Sequence, residues 1–334
     1  VKDLGAVTRV LNEQRHILDS YHSQYGIATG LRVTIPDIRD PSGDMRNGPE
    51  ISKMLELFEV ACENGADVVS IESIGGKEVF NYAILRQDLG QVIFSLGVLS
   101  SADEEYIWDR IVSIAKSNRV IPGGDSACGF ANTAMALAGG MRNRMTSHVF
   151  AALTRAVSAV RTLVPFEIGC KGPGKDCAYE NVIIKAITGF PISMEGKTAA
   201  SAHSSLMGNI AMAACDLWSN EQVENLKLYG GTAPQAFLEM LWYDSQLLNA
   251  SMEAGEAETL RDMIIRSNKF QDPQALILSP DVAWKVSKAI ADSEPDDLSR
   301  SISALNAAIK QIESSSAELR LPEIEIRALN AVKQ

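Results

Sequence analysis

Residues 51–76 read ISKMLELFEVACENGADVVSIESIGG, and this stretch decides the fold. Its first part sets Met54, Leu55, Phe58 and Cys62 at the three- and four-residue spacing of an amphipathic helix, and Gly65 ends it. Its second part, 67–73, is a short apolar run closed by the carboxylate Glu72 and followed by Gly75 and Gly76. A run of that length, bounded by turn residues, is how a strand buried on both faces reads. Helix, tight connection and buried strand together make half of a β/α repeat.

The same unit recurs along the chain. Runs 31–36, 91–98, 119–123, 165–169 and 190–195 read as further buried strands, with a weak run at 274–278. Helical spacing fills the intervals at 102–116, 147–163 and 179–188, with Ile107, Ile111 and Ile114 on one side of the first of them. Such alternation predicts a parallel sheet with helices outside it. A doubly wound sheet and a closed barrel both satisfy it. Polar residues after several different strands, and the lack of a Gly-rich phosphate loop after the first run, favour a TIM-type (β/α)8 barrel. Six good strands are two short of eight, so the expectation is a barrel lacking its N-terminal strands in this chain. Beyond Trp218 the pattern is helical, over 233–254 and 281–312. The expected division is a barrel domain with the site at 1–255 and a helical C-terminal extension at 256–334, packed on the barrel.

Composition narrows the function classes. The 334 residues carry a net charge of -11, and an acidic surface repels phosphate backbones, so nucleic acid is not an expected partner. The apolar run 150–164 is broken by Arg155 and Arg161, which suits a helix inside a protein better than a membrane span. Residues 1–11 have no basic region followed by an apolar core, so no signal peptide is expected. The chain opens on Val1 without an initiator Met, which reads as a fragment or a trimmed chain. The expected location is cytoplasmic, with no membrane partner. Five cysteines in this length do not make a disulfide framework, and they are expected to be reduced and available as ligands or nucleophiles.

Three residues carry the chemistry. Glu72 ends the run 68–71, and a carboxylate there points into a barrel mouth. Cys128 follows the run 119–123 through Gly123, Gly124, Asp125 and Ser126. Cys177 lies in a loop that opens a helix, near Lys171 and Lys175, where a thiol is readily ionised. Taken singly, each has an ordinary explanation: a capping carboxylate, a small buried hydrophobe, a thiol without a role. Taken together, each follows a different strand, so a barrel brings them to one rim. One carboxylate and two thiolates make three zinc ligands and leave a fourth position for substrate, the pattern of a catalytic site. Cys170 could compete with Cys177. Cys62 and Cys215 read as helix-face residues. His203 is a candidate acid/base or supporting group, and Asp37, Arg39 and Asp40 could line the rim without an assigned role.

On these residues the sequence resembles the zinc-containing methanol–corrinoid methyltransferase subunits of methanogens and acetogens. The resemblance runs from about 21 to beyond 272. It is strongest at 72–80 (ESIGGKEVF), 124–128 (GDSAC), 172–180 (GPGKDCAYE) and 215–221 (CDLWSNE). It implies that Glu72, Cys128 and Cys177 hold Zn2+. It implies methyl transfer from methanol to the cobalt of a corrinoid carried by a partner protein, and a homodimer within a larger complex. The family chain carries more sequence before the region matching Val1, in keeping with the two missing strands.

The chemistry needs help with a poor leaving group, because hydroxide leaves carbon badly, and a Lewis acid on the methanol oxygen meets that need. The nucleophilic cobalt belongs to the cofactor. Two thiolates and a carboxylate more than neutralise a zinc ion, however, which also suits activation of a thiol. A zinc thiol alkyltransferase is therefore the enzymatic rival. A non-catalytic scaffold that binds a corrinoid protein is the rival from another class.

Overall fold

The structure is a computed structural model that describes residues 3–139, 145–174, 179–192, 196–197, 206–213 and 234–332. It opens with helix α1 (Leu4–Tyr25), capped by the Asp3 carboxylate on the Ala6 N–H and ended by Gly26 in the left-handed region. Strand β1 (Arg32–Pro36) leads to helix α2 (Pro49–Glu63), which starts with proline in its first turn and buries Ile51, Met54, Leu57, Phe58, Ala61 and Cys62. Strand β2 (Val68–Glu72) follows. The expected helix 51–64 and strand 67–73 are thus both present.

Strands β1 and β2 are parallel, with Arg32 opposite Val68 and Pro36 opposite Glu72. Strand β3 (Ile121–Pro122) pairs with β2 in parallel through Val68 and Val69. The sheet order is β1-β2-β3. Val69 and Ile71 are fully buried, as strands covered by helices on both faces must be. Among the described residues this three-stranded sheet is open, and the α/β chain is mostly helical. β3 is shorter than the expected run 119–123, although the Gly123 N–H just beyond it still donates to the Val69 carbonyl at 2.8 Å.

Three expected strands are helical, and the caps explain why. Run 91–98 lies in helix α3's successor: after α3 (Lys77–Arg86), helix α4 (Leu89–Phe94) begins with the Asp88 carboxylate accepting from the Gln91 N–H. A π-helical segment, Ser95–Ser100, carries it into α5 (Ser101–Ser117). Run 165–169 is the last turn of a long helix, ended by Gly169 at φ 131. Run 274–278 is a short helix with Asp272 as cap and Pro273 in its first turn. A short apolar run does not distinguish a buried strand from a buried helical turn. Of run 190–195, residues 190–192 form no strand and the rest lie outside the described residues.

After β3 come a π-helical turn, Cys128–Asn132, the helix α6 (Thr133–Ala138) and the long helix α7 (His148–Ile168). Ser147 caps α7 on the Phe150 N–H, and the Glu325 carboxylate accepts from the His148 and Val149 N–H groups, both at 2.9 Å. Every residue from Val149 to Phe166 is buried. Among the described residues one helix is long and apolar enough to cross a bilayer; it is α7, and it lies wholly inside the protein.

Several of the described helices pack against that axis. Helix α8 (Asn181–Thr188) precedes the helices α9 (Pro234–Glu253), α10 (Ala257–Asn268), α11 (Pro273–Leu278), α12 (Pro280–Ala291), α13 (Asp297–Ser314) and α14 (Glu323–Ala331). α5, α8, α11, α13 and α14 all pack against α7. Among the described residues, the helical character expected over 233–254 and 281–312 is present from Pro234 on, and the C-terminal helices complete the main core.

Candidate metal centre

Glu72 is the last residue of β2 and is exposed, while the four residues before it are buried. The strand thus delivers a carboxylate to the surface at its C-terminal end. Cys128 opens the π-helical turn six residues after β3 and is half-buried. Cys177 and His203 lie outside the described residues, as do Cys215 and Lys175. Of the three expected ligands, the described residues therefore include two. Among the described residues no group of three His, Cys, Asp or Glu side chains is gathered as a metal site.

The loops carrying Glu72 and Cys128 are tied side by side. The Ser73 N–H, next to Glu72, donates to Asp125 Oδ2 at 3.0 Å. The Lys77 ammonium, at the start of α3, donates to the carbonyl of Gly129 and reaches Thr133 Oγ1 at 3.3 Å. It sits over the rings of Phe80 and Phe130, at 4.9 and 5.0 Å. Burial, with Arg161 as a lesser cause, pulls its pKa down to about 8.

The segments flanking Cys177 are anchored to strands β1 and β3 and to the turn before Cys128. The Lys171 N–H donates to the Pro122 carbonyl at 3.0 Å, and Arg32 donates to the Gly174 carbonyl. Gly123 must be glycine: a Cβ there would stand 2.6 Å from the Pro173 carbonyl oxygen. On the far side, Glu180 Oε1 accepts from the Ala127 N–H at 2.7 Å, one residue before Cys128.

These ties are braced from α7. Arg161 donates to Glu104 at 2.7 Å, to Asp125 at 3.0 Å and to the Ser73 hydroxyl, and its Nε reaches Ser100 at 2.8 Å. Arg155 pairs with Glu180 at 3.2 Å and donates to Asn132 Oδ1 at 2.9 Å. Both arginines and the carboxylates of Glu104 and Glu180 are fully buried, which is tolerable only because they are paired. Burial, opposed by Arg161 and reinforced by Asp125, raises the pKa of Glu104 well above its ordinary value. Arg161 cannot fully compensate two carboxylates.

Asp37 and Arg39 acquire roles. Arg39 bridges Asp37 and Asp103, both at 2.7 Å, and Asp37 Oδ2 accepts from the Ile74 N–H at 3.0 Å, so this buried set holds the loop after Glu72. Asp40 only caps its own turn on Ser42.

The cysteines differ in chemistry. Cys170 is 1% exposed, and burial raises its pKa well above the ordinary thiol value, so it is poorly suited to be a thiolate ligand. Cys62 is pushed up to about 11 by burial and by Glu63 and Glu59. Both are free thiols. The Cys128 sulfur is disulfide-bonded, which corrects the expectation that all five cysteines are reduced. The Asn132 Nδ2 approaches the same sulfur at 3.9 Å.

Sequence reasoning missed Glu104, Asn132 and the bracing role of Arg155 and Arg161. The two arginines were visible as charges interrupting an apolar helix, and buried arginine demands buried carboxylate partners. Nothing in the local pattern pointed to Asn132.

The chain matches the family model described as the methanol-cobalamin methyltransferase B subunit over residues 2–334. It is 45% identical over 329 residues to a methanol–corrinoid protein co-methyltransferase of Methanosarcina barkeri, covering 97% of this chain and 71% of that protein. It is also similar to a chain in the crystal structure of the methanol:cobalamin methyltransferase complex MtaBC from Methanosarcina barkeri. The TM-score there is 0.90 at 44% identity, over 99% of this chain and 72% of that one.

Proposed function

The chain belongs to the methanol-cobalamin methyltransferase B subunit family, and from that premise we propose that it moves the methyl group of methanol to the cobalt of a corrinoid held by a partner protein, using zinc held by Glu72, Cys128 and Cys177. The observation that carries the metal reading is the cross-tying of three loops at one edge of the sheet. Ser73 is bound to Asp125, Lys77 to Gly129, and Ala127 to Glu180. Glu180 lies three residues after Cys177 and touches the residue before Cys128. Three residues span at most about 11 Å, so the chain can bring Cys177 to Cys128.

The donor chemistry fits zinc. A carboxylate and two sulfurs are ordinary zinc ligands, and three protein ligands leave a position for substrate. When bound, zinc supplies a Lewis acid to the alcohol oxygen. The chain's own residues fix the loops, hold the donors, and set the Lys77 cation on the turn that carries Cys128, at the Gly129 carbonyl.

We retain the (β/α)8 barrel at 1–255 and the helical extension at 256–334 as the architectural reading. Its support is the parallel β1-β2-β3 order with intervening helices and the likeness to the Methanosarcina barkeri chain. The partner is a corrinoid-carrying protein, as in the complex that chain comes from. A cytoplasmic location and a homodimer belong to the same reading and rest on the resemblance.

Metal analysis combined with methylation of cob(I)alamin tests it. The expected result is about one zinc per chain and methanol-dependent methylation, with zinc lost on Cys128→Ala or Cys177→Ala. Transfer onto a thiol instead of cobalt would favour the thiol alkyltransferase. Corrinoid-protein binding without any transfer would favour the scaffold.

A further inference from the structure

Two thiolates and a carboxylate carry more negative charge than a zinc ion neutralises, and this weakens the metal as a Lewis acid. The turn that carries Cys128 holds a group that opposes the effect. Asn132 lies one turn after Cys128, is 7% exposed, and sets its Nδ2 3.9 Å from Cys128 Sγ. Its Oδ1 accepts from Arg155 Nη2 at 2.9 Å.

The orientation of that amide follows from chemistry. A guanidinium has donors and no acceptor, so the oxygen of Asn132 must face Arg155. The NH2 group is left facing the sulfur. Arg155 is itself held, by Glu180 at 3.2 Å and by the Ala131 carbonyl at 3.4 Å. Glu180 grips the Ala127 N–H at the other end of the same turn. The Arg155–Glu180 pair thus clasps residues 127–132 from both ends and aims one N–H at the sulfur.

We propose that Asn132 is a positioning residue that donates an N–H···S hydrogen bond to the Cys128 thiolate, held in place by Arg155 and Glu180, and so draws electron density from the sulfur and leaves the bound metal a stronger Lewis acid. This rests on the metal reading above. Hydrogen bonds to a ligating group orient it and tune the metal, and their loss typically costs 10–100-fold in metal affinity or activity.

The test uses the reduced chain loaded with Co2+ in place of zinc, as wild type, Asn132→Asp and Asn132→Leu. The readouts are the thiolate-to-cobalt charge-transfer band and, on the zinc-loaded protein, kcat and KM for methanol. Asp keeps the volume and the oxygen facing Arg155 but loses the donor; Leu removes both polar groups. The expected result is one cobalt in each, a band moved to longer wavelength in both variants, and kcat lowered about tenfold or more with KM for methanol little changed. A cobalt-loaded variant whose band stays at the wild-type wavelength overturns the proposal. Wild type that takes up no cobalt through sulfur also overturns it, and does so by removing the metal reading beneath it. If the Leu variant does not fold, the Asp variant decides.

Discussion

Arg161 and Arg155 sit six residues apart on one buried helix, and they do different work. Arg161 gathers groups from the loop after β2, from the π-helical segment before α5, from α5 and from the loop after β3: Ser73, Ser100, Glu104 and Asp125. Arg155 gathers Glu180, Asn132 and Ala131, all belonging to the turn around Cys128 or to the segment beyond Cys177. The first arginine closes the core beneath the sheet edge. The second shapes one ligand's immediate surroundings. The helix has placed these two buried charges where loops, which have no ladder of their own, must be held still.

The largest effect expected from this contrast is on stability. Arg161→Met strands Glu104 and Asp125 in the interior, and removing one partner of a buried ion pair costs about 3–5 kcal/mol. Urea unfolding measures it. Arg155→Met leaves Glu180 with the Ala127 N–H and the Thr162 hydroxyl, so its cost is nearer the about 1–3 kcal/mol of an unsatisfied buried group. The same variant frees the Asn132 amide, so it lowers zinc affinity more than Arg161→Met does, by about tenfold in a chelator competition. Equal costs in stability and in zinc affinity for the two variants would erase the distinction.

Glu104 sharpens it further. Its pKa is raised in the folded state, so between the unfolded carboxylate value and the raised one the folded chain binds the extra proton. Stability then falls as pH rises through that window, by up to about 1.4 kcal/mol per pH unit for one group. Glu104→Gln does not titrate and should flatten that slope in urea unfolding measured across pH; an unchanged slope would assign it to other groups.

Lys77 gives the smallest effect, in the opposite direction. Its pKa is lowered to about 8, so from there to the ordinary lysine value the unfolded chain binds the extra proton and stability rises with pH. Lys77→Met should remove the rise in thermal unfolding midpoints between about pH 8 and pH 10. A rise that survives the substitution would contradict the burial of this ammonium between Phe80 and Phe130.

Much of this was legible in the sequence, and the boundary is physical. Helices α2, α5 and α8 and strands β1 and β2 follow from periodicity and from stops such as Gly65. Glu72 and Cys128 stood out because each follows a strand through glycines. The runs 91–98, 165–169 and 274–278 misread because a few consecutive apolar residues fit a buried helical turn as well as a strand. The deciding signals, Asp88, Gly169 and Asp272 with Pro273, lay just outside or at the end of the runs. Asn132 was not legible at all. Its role depends on Arg155, 23 residues on, and on Glu180, 48 residues on, and long-range partners of that kind leave no local periodicity.

Zinc K-edge X-ray absorption on the reduced, zinc-loaded chain tests the central claim most directly. Two sulfur ligands at about 2.3 Å, with the remaining shell of oxygen near 2.0–2.2 Å, are expected, falling to one sulfur in Cys128→Ala. A shell without sulfur, or one unchanged in that variant, would contradict the account.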